Sequence, residues 1–125
     1  LQHSILKTGE NKILDVNIGR SIHNLPKSEL VAYISKKQKP WTINTIDLET
    51  GSIKTMIHAL QGSEDFAVTD SGVLIMGRGS ILYSFDPREQ MDWVKIADLS
   101  DYGLDEITRL AISPKVDKIV IVVNE

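Results

Sequence analysis

An all-β chain built from four-stranded antiparallel blades, the unit of a β-propeller, is what this sequence predicts, and three observations carry the prediction. A short pattern recurs: Ser21-Ile-His-Asn-Leu-Pro26, Asp65-Phe-Ala-Val-Thr-Asp70 and Arg109-Leu-Ala-Ile-Ser-Pro114 place Pro26, Asp70 and Pro114 at intervals of 44 residues. Apolar residues alternate with polar ones along Trp41-Thr-Ile-Asn-Thr-Ile-Asp-Leu48, as a half-buried strand requires. Helical patterning is nearly absent. The single stretch that resembles it, Ser100 to Glu106, contains Gly103 and reads as a loop with one helical turn at most.

The elements follow from the hairpin at Asp65 to Met76. An apolar run, Phe66 to Val68, enters the polar turn Thr69-Asp70-Ser71-Gly72, and a second apolar run, Val73 to Met76, leaves it. The counterparts of that second run are Leu30 to Ile34 and Ile119 to Val123. A second turn marker lies between the hairpins: Leu6-Lys-Thr-Gly9 and Leu48-Glu-Thr-Gly51 stand 42 residues apart, and Asp86-Pro-Arg-Glu89 fills the place in the next unit. Gly9 and Gly51 suit turn positions with positive φ. Strands precede these markers at His3 to Leu6, Trp41 to Leu48 and Ile81 to Phe85, and follow them at Lys12 to Val16, Ile53 to Leu60 and Trp93 to Ala97. Val, Ile, Thr and aromatic residues dominate all these runs.

Four strands, A to D in chain order, therefore make a unit, and units of this length with four antiparallel strands are propeller blades. Residues 1–16 supply strands C and D, 20–60 and 64–98 one blade each, and 107–124 strands A and B, all within a single segment, 1–125. This is about three blades' worth of strands, whereas closed rings hold four to eight blades. Either blades precede this segment or two copies form a homodimer that completes a six-bladed ring. The first is the favoured expectation, because the chain opens on Leu1 and not on Met.

Composition narrows the function classes. The formal charge is −3, from 14 basic and 17 acidic residues, too weak and mixed to point to nucleic acid or a membrane surface. There is no cysteine, which removes disulfides and thiolate metal sites. No apolar run approaches the length of a membrane-spanning helix, and no signal-peptide pattern opens the sequence, so membrane insertion is not expected.

At its turns the chain resembles the bacterial TolB-like propellers, whose repeat is called PD40 or WD40-like and whose A–B turn reads Ser-Pro-Asp-Gly-Lys. Ile112-Ser-Pro-Lys-Val-Asp-Lys118 is close, with one extra residue; Val68-Thr-Asp-Ser-Gly72 keeps the Asp and Gly; Asn24-Leu-Pro-Lys-Ser-Glu29 keeps only the Pro. Ile46-Asp-Leu-Glu-Thr-Gly51 matches the end of the family's strand C. The resemblance covers essentially the whole chain. It implies the fold of a C-terminal half propeller and, by family alone, a periplasmic or secreted location. The family includes scaffold proteins and the propellers that gate prolyl-oligopeptidase-like enzymes, so the motifs say little about function.

Five residues are candidates for contact with a ligand or partner. Ser21, Asp65 and Arg109 hold equivalent positions at the start of strand A, where they would converge at a channel mouth and hold a peptide terminus or a small polar ligand. The plainer expectation is that they pair with one another across blades. Arg78, between Gly77 and Gly79, would be presented outward by a tight hairpin that needs those glycines in any case. Ser35 with Lys36, and Asn124 with Glu125, hold the corresponding strand-B ends. Tyr102 lies in the D–A connection Asp101-Tyr-Gly-Leu-Asp105, which is longer than its counterpart near Gly62-Ser63. The loop from Lys36 to Pro40 suits an acidic partner, or simply a solvated turn that blunts a sheet edge.

Other residues are read as structural. His3, His23 and His58 lack metal-ligand spacing, and neither a metal nor another cofactor is expected. Gly-x-Ser-x-Gly is absent, so Ser80 is not the nucleophile of that motif, and Gly77-Arg-Gly79 lacks the Lys and the helix of a phosphate loop. Trp41 and Trp93 read as packing between blades or at outer edges, and Tyr33 and Met76 as core. The expected function is a non-enzymatic scaffold that binds a protein or peptide through its D–A and B–C loops. The alternatives are a gating propeller of a serine peptidase and small-ligand binding at the channel mouth.

Overall fold

A computed structural model describes residues 4–7, 12–113 and 118–123. The expectations that rest on His3, Gly9, Pro114, Asn124 and Glu125 lie outside them. Among the described residues the chain is all-β apart from one 3₁₀ turn, and it divides into two compact units, Leu1–Ala59 and Leu60–Glu125.

In the first unit, β1 (Ser4–Lys7) and β2 (Lys12–Val16) form an antiparallel ribbon. β3 (Ile18–Asn24), β4 (Leu30–Ser35), β5 (Thr42–Asp47) and β6 (Ile53–His58) form a sheet in chain order, each strand antiparallel to the last. Residues Val31 to Ser35 of β4 are buried without alternation, so both faces of this strand are covered. One face, with Val31, Tyr33 and Ile46, packs with Ile18 and with Ile5 and Leu14 of the ribbon. The other carries the buried Ala32, Ile34 and Ile43.

The turns close as their residue types dictate. Between β5 and β6, Gly51 has φ +75° and its N–H donates to Asp47 O at 2.7 Å, while Asp47 Oδ1 accepts from the N–H groups of Glu49 and Thr50. The β2–β3 link is a single residue, Asn17, at φ 59°, a left-handed conformation that Asn tolerates better than most side chains. Seven residues join β6 to β7 and eight join β10 to β11, so the repeat is broken at this junction. β3 starts early and shifts register with β4 between Ile18 and Ile22. Ser21 therefore lies mid-strand beside that irregularity, and not at the strand's leading end, where the repeat alignment places it.

In the second unit, β7 (Phe66–Val68), β8 (Leu74–Arg78), β9 (Ile81–Phe85) and β10 (Val94–Asp98) form a second four-stranded antiparallel sheet in chain order. The hairpin that organises the sequence is its inner pair, with Phe66 opposite Met76 and Val68 opposite Leu74. Its turn closes through Gly72 N–H to Thr69 O at 2.9 Å and Thr69 N–H to Val73 O at 2.9 Å, with Gly72 at φ +88°. That is the three-residue hairpin loop with glycine in the left-handed position. A ribbon of β11 (Ile107–Ile112) and β12 (Ile119–Val123) packs Leu110, Ile107, Ile112 and Ile121 on Ala67, Ile75 and Leu82. Gly77 lets the two layers approach: a Cβ there would stand 2.6 Å from Ile107 Cγ2. Phe66, Leu74, Met76 and Phe85 are buried on the sheet's other face.

Trp41 and Trp93 each immediately precede a strand. Trp93 packs on Phe85 with ring centroids 5.9 Å apart, and Lys36 Nζ stands 4.8 Å from the centre of the Trp41 ring. Ser100–Tyr102 forms a 3₁₀ turn, closed by Gly103 at φ 75°.

Candidate functional site

Three loops meet at one end of the second unit, and backbone bonds hold them together. The β8–β9 turn is only Gly79 and Ser80. Gly79 O accepts from Ile107 N–H at 2.8 Å, and Ser80 O from Leu99 N–H at 2.8 Å. Ser80 Oγ also donates to Asp98 Oδ1 at 2.9 Å, which in turn accepts from Ser100 N–H at 3.0 Å. The Ser100 N–H, with the Ser100 and Ser80 hydroxyls, holds the Asp98 carboxyl below its ordinary value. The segment before β7 joins from the other side. Ser63 Oγ donates to Gly77 O, and Gln61 Oε1 accepts from Arg78 Nη2 at 3.4 Å.

This arrangement gathers four of the five candidate residues in one unit. Arg78 closes β8 and is exposed, its guanidinium on Gln61. Tyr102 ends the 3₁₀ turn and is 78% exposed, on a backbone fixed by Tyr102 N–H to Leu99 O and by Gly103. Asp65 stands directly before β7. Its Oδ2 accepts from Leu110 N–H at 2.9 Å, tying the sheet to β11 one residue beyond Arg109. Arg109 is exposed and lies opposite Val122, on the ribbon face turned away from the sheet. Ser21 belongs to the first unit.

The first unit repeats part of this pattern. Lys36 N–H donates to Asn17 O at 2.9 Å, bonding the β4–β5 loop to the β2–β3 link. Here the sequence reading missed the central residue. Asp15, on β2, is buried; its carboxylate accepts from the Tyr33 hydroxyl and from Val16 N–H, and pairs with the Lys37 ammonium. Burial alone would raise the Asp15 carboxyl, but Lys37, the Tyr33 hydroxyl and Val16 N–H outweigh it and hold the group below its ordinary value. Burial, then the neighbouring carboxylate, push the Tyr33 hydroxyl well above its usual range. The signal was present: a carboxylate inside the apolar run Ile13-Leu14-Asp15-Val16 needs buried partners. Lys36 and Lys37 thus have structural contacts at one end of the loop that suited an acidic partner.

Chemically, the loop cluster offers a guanidinium, a phenol ring and a rim of carboxylates at Asp101, Asp105 and Glu106, all exposed. Several hydroxyls serve turns: Thr69 Oγ1 accepts from Val73 N–H at 3.0 Å, and Ser28 Oγ donates to Leu25 O at 3.1 Å. Among the described residues, no group of three or more His, Asp and Glu is placed to hold a metal ion. No family model and no curated protein sequence matches this chain.

Proposed function

We propose that this chain is a segment of a TolB-like β-propeller and acts as a non-catalytic scaffold that binds a protein or peptide at the loop cluster of its second unit. The two consecutive four-stranded meanders, flanked by a ribbon in the place of strands C–D and another in the place of A–B, support the blade reading. The observation that carries the binding reading is the exposed pair Arg78 and Tyr102 on loops cross-bonded by Gly79, Ser80, Asp98 and Leu99. Arg and Tyr are the residue types that dominate interface energetics, and holding them in place beforehand reduces the entropy lost on binding. Asp65 acts in support, by fixing β11 against β7, and Arg109 extends the same end.

The test is selection of displayed peptides on the immobilised chain, followed by a hydrogen-exchange footprint of the selected peptide. Protection at residues 60–63, 77–80 and 99–109 is expected. A footprint elsewhere, or no selected binder, contradicts the reading.

A further inference from the structure

The two ribbons leave complementary gaps. In the first unit, β1–β2 covers the face of its sheet that carries Val31, Tyr33 and Ile46. Ile22 of β3 is in register with Tyr33 and points the same way, yet it is 48% exposed. In the second unit, β11–β12 covers the face that carries Ala67, Ile75 and Leu82. Val94 of β10 is in register with Ser84, which lies opposite Ile75 on that face, and it is 43% exposed. One sheet thus exposes Ile22 on its A strand although Ile18 of that strand is covered, and the other exposes Val94 on its D strand although Ala97 of that strand packs on the core.

The ribbons themselves are half covered. Ile13 of β2, and Val120 and Val122 of β12, lie on faces turned away from their own sheets and are 60%, 62% and 49% exposed. Among the described residues each ribbon is also open along an edge: β1 pairs only with β2, and β12 only with β11. The β12 edge, Ile119 to Val123, carries no charge and no proline to discourage pairing. In both full sheets a B strand pairs antiparallel with a C strand, β4 with β5 and β8 with β9. The neighbour that β12 lacks is a C strand, and β1 is one.

We propose that a second copy of this chain supplies it. The β1–β2 ribbon of each copy completes the sheet begun by β11–β12 of the other, in the order β11-β12-β1-β2, about a two-fold axis. Among the described residues the two ribbons are separate two-stranded sheets, each half of a four-stranded one. The completed sheet continues both existing packing interfaces: its A–B half extends over Ile22, its C–D half over Val94, Ile13 and Val120 become interior, and Val122 with Arg109 opposite it forms the rim at the loop end. The inference rests on the blade reading above.

Light scattering on this 125-residue chain is expected to give twice the mass of one 13.9 kDa chain. Ile22→Glu and Val94→Lys, both at exposed positions, are expected to return the mass to that of a single chain with an unchanged far-ultraviolet spectrum. Met91→Glu, at a side chain 99% exposed and outside the proposed contact, is expected to leave the dimer intact. Amides of β1 and β12 should exchange more slowly in the dimer than in the Ile22→Glu monomer. A single-chain mass for the wild type at its highest soluble concentration, or a dimer unmoved by both charged substitutions, overturns the proposal. Neither result bears on the loop cluster, whose peptide titration is read per chain.

Discussion

The Tyr33 hydroxyl donates to the Asp15 carboxylate, and through that bond strand β4 holds the ribbon that lies across its face. Tyr33 is fully buried, so its hydroxyl must find a partner in the interior, and Asp15 is the partner it takes. Tyr33→Phe leaves the carboxylate short of one donor and is expected to cost about 1–3 kcal/mol in urea unfolding. A double cycle with Asp15→Asn should show strong non-additivity, because both changes act on one bond.

The same carboxylate sets a pH dependence. Its folded value lies below the unfolded one, so its contribution is fully present above the ordinary carboxylate range of about 4 and is lost as pH falls through the folded value. Urea midpoints of the wild type and of Asp15→Asn, measured from neutral to acid, are expected to differ most near neutrality and to converge below about pH 4. A gap that widens on acidification would contradict the assignment.

Gly77 is required by contact and not by turn geometry. Its Cβ position falls against Ile107, so Gly77→Ala is expected to lower stability by about 1–3 kcal/mol through overpacking. Ile107→Ala in the same chain should recover part of that loss, since it removes the Cγ2 atom that blocks the space. Calorimetric melting of the four variants measures the coupling.

Gly72 tests the turn directly. At φ +88° a side chain is strained although space is open around it, so Gly72→Ala should cost about 1–2 kcal/mol while leaving the hairpin register unchanged in NMR cross-strand contacts.

Asp65 separates support from recognition. Asp65→Ala removes the acceptor for Leu110 N–H and is expected to cost about 1.5–3 kcal/mol in chemical unfolding. Asp65→Asn retains an acceptor oxygen and should recover part of it. If instead both variants unfold like the wild type, the bond to β11 contributes nothing.

Strand order was legible because local signals agreed. Val, Ile and Thr runs met turn residues at regular intervals, and the hairpins at Thr69–Gly72 and Asp47–Gly51 close as those residues require. The position of Ser21 was not legible, because nothing local announces that Asn17 alone joins two strands and that β3 therefore begins at Ile18. The roles of Asp15 and Asp65 depend on partners 18 and 45 residues away, separations that no local pattern encodes. Burial offered the one usable hint, and only for Asp15, as a charge within an apolar strand.

The most direct test of the binding account is calorimetric titration of a selected peptide against the wild type, Arg78→Ala, Tyr102→Ala and the double variant. The account predicts that each single change weakens binding at least tenfold, about 1.4 kcal/mol or more, with the fold unchanged by circular dichroism. Affinity retained in the double variant would contradict it.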